Sequence, residues 1–140
     1  MKRNIDQAHL DRLAEMFRTA PIVSFLGQRL VHCRDGIAEV RLPFREEFVQ
    51  GIGVIHGGII STVADTAAYF AAASIVTEGV VTTVEFKINL VASAKNESLT
   101  ARSEVVSSGK NLLVCQFKVA GDEDKLIAIG QGTFFIMRGK

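Results

Sequence analysis

The chain has almost no charge imbalance: sixteen Lys and Arg residues stand against fifteen Asp and Glu, a formal net charge of +1. That balance removes the electrostatic footprint by which proteins grip nucleic acid or an anionic membrane. The basic residues are scattered, with no run longer than Lys2-Arg3. Cysteine is scarce. Cys33 and Cys115 have no metal-ligand spacing and lie in stretches that read as strand, which predicts buried thiols in a reducing compartment, by default the cytoplasm. His9, His32 and His56 are far apart and lack Cys or carboxylate neighbours in a ligand pattern, so no metal is expected. There is no P-loop, and Gly51-x-Gly53 lacks the third glycine of a dinucleotide fingerprint. The Gly-x-Ser-x-Gly elbow of α/β-hydrolases is missing. No apolar h-region interrupts Met1 to Phe17, so no signal peptide is expected.

One segment comes close to a membrane span. Gly57 to Val76 is twenty residues with a single charge, near the length that crosses a bilayer. Asp65, Ser61, Thr62, Thr66 and Ser74 interrupt it, however, and a charge in mid-membrane is costly. The better reading is a helix buried by a sheet.

What is present fits one domain over residues 1–140, long enough to bury a core, with 48% hydrophobic residues. Asn4 to Thr19 has apolar residues at helical spacing, within an N-terminal extension over residues 1–20, and Pro21 should end that helix. Ile22 to Val31 fits no pattern. Ile37 to Leu42 alternates after an Asp35-Gly36 turn, and Pro43 to Gly53 reads as a loop. Beyond the apolar helix, strands are predicted at Val80–Val91, Leu99–Val106, Leu112–Val119 and Lys125–Met137. Turns fall at 107–111 and 121–124, and such short connections favour antiparallel neighbours. The order predicts an α+β domain in which one long helix is wrapped by an antiparallel sheet.

The most informative stretch is Gln50 to Asp65. It sets His56-Gly57-Gly58 directly before the apolar helix, whose first N–H groups are free to hold a developing negative charge. Asp65 is then a lone carboxylate on a greasy helix, expensive to bury without a reason. An oxyanion donor and a base or nucleophile are the two parts that acyl transfer needs. Gly57 and Asp65, though, lie eight residues apart, about 12 Å along a helix. One helix therefore cannot serve a single carbonyl with both. Two copies running antiparallel about a two-fold axis can, so a real site here requires a dimer.

The pattern Gln-x(5)-His-Gly-Gly-x(6)-Asp, opening a long apolar helix, resembles the hotdog-fold acyl-CoA thioesterases, in particular their phenylacetate-degradation (PaaI-type) branch. Val81-Thr82-Thr83-Val84-Glu85-Phe86-Lys87-Ile88-Asn89 resembles that family's first long strand. Ser93-Ala94 resembles its small-Pro-Ala bend without the proline, and Gly109-Lys110 its hairpin. The resemblance implies a hotdog fold over roughly Ile37 to Phe135 and hydrolysis of an acyl-CoA thioester without a cofactor. It implies Asp65 as general base or nucleophile and the Gly57 N–H as oxyanion donor. His56 would orient the loop or bond near the thioester. Gln50, longer than the Asn of many relatives, would position water or the carbonyl, and Thr83 would help hold the water. The pantetheine arm would run by Gly58, Val81, Thr82 and Val84, with Gly109 and Lys110 near the coenzyme end and Tyr69 lining the acyl pocket or the core. A homodimer, or a dimer-of-dimers homotetramer, is implied.

Plainer readings stand beside these. Asp65 could cap a second helical segment from Thr66 or pair with a buried Lys, and Thr83 could be an ordinary strand residue. A hotdog dehydratase or hydratase, or a silent acyl-CoA-binding module, are the rival functions. The acyl group is not legible.

Overall fold

The computed structural model describes residues 4–139, so residues 1–3 of the expected N-terminal extension, with Lys2-Arg3, lie outside the described part. Helix α1 spans Gln7–Thr19. Asp6 caps it by accepting from the His9 N–H at 2.8 Å, and Leu10, Leu13 and Phe17 form its buried face. Pro21 does more than end this helix. It occupies the first position of a second short helix, α2 (Pro21–Leu26), where its missing N–H and fixed φ are no handicap. Gly27, at φ 77°, closes α2 in the left-handed conformation.

Six strands form one antiparallel sheet: β1 (Arg29–Arg34), β2 (Ile37–Leu42), β3 (Val80–Leu90), β4 (Leu99–Ser108), β5 (Leu112–Ala120) and β6 (Leu126–Met137). Their order is β1-β2-β4-β5-β6-β3. The ambiguous segment Ile22 to Val31 thus runs into β1, on which Cys33 was expected, although no period marks where that strand begins. β1 is an edge strand with no buried side chain and an irregularity between Leu30 and His32, so burial imposes no alternation on it.

The central helix α3 (Gly57–Ala73) crosses the concave face. Val63, Ala64, Ala67, Ala68, Ala71 and Ala72 are fully buried, and these small side chains let the helix sit close to the strands. The sheet answers with alternating positions: Leu99, Ala101 and Val105 on β4, Leu113, Cys115, Phe117 and Val119 on β5, Phe134 and Ile136 on β6. Phe134 is 0% exposed, and truncating such a ring to Ala costs about 3–5 kcal/mol. A helix wrapped by an antiparallel sheet is the hotdog arrangement that the family resemblance implied.

Candidate active site

The start of α3 is set by a closed loop. Val49 bridges Ile55, the His56 N–H donates to the Phe48 carbonyl and the Ile55 N–H to that of Ala94, both at 2.8 Å. The Ala92-Ser93-Ala94 bend, even without proline, therefore pins the segment that precedes the helix. His56 is the N-cap of α3. Its Nδ1 accepts from the Gly58 N–H at 2.8 Å, which leaves Nε2 as the ring nitrogen free to face a substrate. A side chain at position 58 would crowd that ring, since a Cβ there falls 2.9 Å from Nδ1. With Gly58 capped, the Gly57 N–H is left without a hydrogen-bond partner among the described residues. It is half-buried and points out of the positive end of a seventeen-residue helix.

One flank of α3 carries Ser61, Thr62, Asp65, Thr66 and Tyr69, all partly exposed. Three of these hydroxyls turn back on the helix: Ser61 donates to Gly57, Thr62 to Gly58 and Thr66 to Thr62 carbonyls, at 2.8–2.9 Å. Asp65 instead reaches the sheet, where the Thr83 hydroxyl donates to its Oδ1 at 2.9 Å. The helix runs unbroken through this point, so Asp65 caps no second segment, and no Lys pairs with it among the described residues. Burial pushes the Asp65 carboxyl above its ordinary value, and the Thr83 hydroxyl pulls it part of the way back.

Thr83 sits beside a feature that sequence reasoning missed. The β3–β6 register pairs Thr83 with Phe134 and then Glu85 with Thr133, leaving Val84 as the extra residue of a β-bulge. Bulges re-aim side chains and gather near active sites. Nothing in the residues of β3 signals it.

The remaining candidates are spread out. Gln50 lies in the 50–54 turn, where its Oε1 accepts from the Ile52 N–H at 3.2 Å. Neither it nor His56 bonds to Asp65 within the chain. Val81 is buried in the core, Thr82 is half-buried and Val84 is exposed. Gly109 and Lys110 are exposed at the β4–β5 hairpin. The row Thr82–Phe135–Leu112 places that hairpin two strands from β3, about 10 Å across the sheet. Tyr69 packs edge-on against Phe70 with centroids 5.2 Å apart, and burial raises its hydroxyl above the usual value.

The two thiols offer no competing chemistry. Each donates to an α3 carbonyl, Cys33 to Phe70 and Cys115 to Ala68. Burial pushes Cys33 up to about 11 and Cys115 to about 12, so neither is a thiolate near neutral pH. Among the described residues no group of three or more His, Cys, Asp or Glu side chains is placed to hold a metal, and no helix is long and apolar enough to cross a membrane.

Known proteins resemble this chain in sequence and in fold. A 1,4-dihydroxy-2-naphthoyl-CoA hydrolase of Listeria monocytogenes is 31% identical over 114 residues, covering 81% of this chain and 93% of that protein. The crystal structure of a thioesterase family protein from Silicibacter pomeroyi superposes with a TM-score of 0.89 at 32% identity, covering 94% and 99% of the two chains. The Escherichia coli PaaI protein of the phenylacetic acid degradation operon shares the fold, with a TM-score of 0.89 at 20% identity over 98% and 99%. Residues 52–128, from the turn before His56 to the first residues of β6, match the thioesterase superfamily. The chain belongs to that superfamily, as a hotdog-fold thioester hydrolase.

Proposed function

We propose that this protein hydrolyses small aromatic or short- to medium-chain acyl-CoA thioesters at a site shared between two subunits. The observation that carries the reading is the pair formed by Asp65 and the open Gly57 N–H, on one helix and about 12 Å apart. Asp65 of one subunit and Gly57 of its partner face the same thioester. As general base, Asp65 takes a proton from water, whose oxygen attacks the carbonyl carbon. As nucleophile, its carboxylate attacks directly and the resulting anhydride is then hydrolysed. Either way the oxyanion meets the partner subunit's Gly57 N–H and the helix N-terminus, and the C–S bond breaks to release coenzyme A. Thr83 holds the carboxylate in line. Gln50 and His56, at the mouth of the partner's helix, orient water and thioester. Gly58, Thr82, Val84 and the backbone of Val81 flank the pantetheine arm, Gly109 and Lys110 meet the coenzyme end, and Tyr69 borders the acyl group.

Dimerisation is supported by β3. It is an eleven-residue edge strand on which Val80, Val84 and Leu90 are all more than half exposed, the kind of edge that monomeric proteins avoid. The family resemblance extends this to a dimer of dimers. Aromatic substrates are supported by the name of the Listeria relative.

The test is thiol release from a panel of acyl-CoAs. Wild type should turn over at least one, and Asp65→Asn should lose about 10²–10⁴-fold. Single turnover in ¹⁸O-water separates the two roles, because only a nucleophilic Asp65 acquires label. Mixing two inactive variants, Asp65→Asn and Gly57→Pro, tests the shared site. A mixed dimer has one doubly damaged site and one intact site, so activity should return to about a quarter of wild type on random exchange. Binding of acyl-CoA without any thiol release, or no recovery on mixing, overturns the reading.

A further inference from the structure

A cavity of about 580 Å³ lies between α1, α2, β1 and the turn at Pro43 to Arg45, at the opposite edge of the sheet from β3. Phe17, Val23, Leu30 and Pro43 give it apolar walls. Gln28 breaks that pattern. It lines the cavity, is 5% exposed, and neither atom of its side-chain amide has a hydrogen-bond partner among the described residues. Buried amides without partners are unfavourable and rare in native proteins, and each asks for an explanation. The backbone supplies none, because the Gln28 N–H is already bonded to the Val23 carbonyl at 3.0 Å. An apolar side chain would serve packing better.

The rim is cationic. Arg18, Arg29 and Arg45 line it, with no Asp or Glu among the lining residues. Arg18 is engaged by Glu15 at the surface, whereas Arg29 and Arg45 have no ion pair among the described residues. Arg45 is held in a fixed pose. Its Nη1 donates to the Phe25 carbonyl at 2.7 Å, and its Nη2 lies over Gly27, where an added Cβ would approach to 2.5 Å. The guanidinium therefore presents its other N–H groups from a set position, the pre-organised fork that suits a carboxylate.

We propose that this cavity binds a small organic carboxylate with an apolar body, at a site separate from the one beside Asp65. The apolar part lies against Phe17 and Leu30. The carboxylate takes N–H groups from Gln28, Arg45 and Arg29, and the Gln28 oxygen accepts from a water or hydroxyl carried in with the ligand. The volume suits such a molecule, within the range of roughly 300–1,000 Å³ common to small-ligand sites.

4-Bromobenzoate is the probe. Soaked crystals should show anomalous bromine signal between Phe17 and Leu30, and a solution titration followed by NMR should give saturable shifts on α1 and α2. Gln28→Leu should keep fold and thiol release but weaken this binding by about tenfold or more, and Arg45→Gln should weaken it as well. Bromine only beside Asp65, binding at crystal concentration only, or equal affinity for Gln28→Leu would each overturn the proposal. So would equally tight binding of inorganic phosphate or 4-bromobenzamide, which lack the apolar body and the charge respectively. The readout is occupancy, so it stands or falls independently of the hydrolytic mechanism.

Discussion

The two ends of α3 are treated in opposite ways. At the C-terminal end the carbonyls from Phe70 to Ala73 are all closed off. The Ser74 hydroxyl, fully buried, accepts from the Gly36 N–H and donates to the Ala71 carbonyl, both at 2.8 Å. The ring of His9 bonds the Ala73 carbonyl at 2.9 Å, tying α1 to the helix end. At the N-terminal end the Gly57 N–H stays open and His56 is exposed, and at mid-helix Asp65 carries a carboxyl that burial disfavours as an anion. Folding alone would favour the first treatment throughout. The start and middle of the helix give up that satisfaction to keep one donor and one carboxylate available, which is the usual mark of a site built for chemistry.

Four substitutions would break or sharpen this contrast. Beside the loss of turnover already expected for Asp65→Asn, the largest effect is expected from Gly57→Pro, which deletes the open N–H. Proline is tolerated at a first helical position, and the preceding His56, at φ −61° and ψ 135°, already has the backbone that proline demands. The fold should survive by circular dichroism while kcat/KM falls about 10²–10³-fold. Wild-type turnover in this variant would mean that the open donor is idle.

Ser74→Ala attacks the closed end. It strands the buried Gly36 N–H and should lower unfolding free energy by about 1–3 kcal/mol in urea titrations, with catalysis per folded molecule unchanged. Asp65→Asn should do the reverse. A carboxyl whose folded pKa is raised favours the fold while protonated, and that contribution fades as pH climbs from the unfolded value through the folded one. The Asn variant should therefore melt higher than wild type at neutral pH, by less than the Ser74 loss, and the gap should close in acid. A gap that persists below pH 4 would point to packing instead. Smallest is Thr83→Val. Removing the hydroxyl that steadies the Asp65 anion raises its pKa further, so the acid limb of the kcat/KM profile should move to higher pH. An unmoved limb would show that Asp65 is not the group titrating.

Much of this was legible in the residues. The helix begins at Gly57 because two glycines follow a residue that can cap, and the core strands β4, β5 and β6 alternate because one face of each is buried against α3. Where burial does not act, the pattern is silent. β1 has no buried side chain and so gave no period, and Pro21 reads equally as the end of one helix or the first turn of the next. At the site, Gly57 and Asp65 followed from spacing and cost, but the meeting of Asp65 with Thr83 depends on a strand eighteen residues later and a bulge at Val84. Resemblance to relatives suggested Thr83 as a holder of water, not as a partner of Asp65. The His56 cap on the Gly58 N–H is a local contact two residues apart, whereas the Gln28 amide, unpaired among the described residues, is a result of tertiary placement with no local signal.

The position of β3 has a consequence for synthesis. Among the described residues its only neighbour in the sheet is β6, which pairs Val80 with Met137 and Leu90 with Ala128. During translation, α3 and Thr83 emerge well before that neighbour exists, and long-range pairings of this kind are the slow ones to form. β3 lacks its sheet neighbour until Leu126–Met137 has been made, so a nascent chain carries this apolar strand unpaired. In the cell, that interval is when chaperones would matter most to this protein.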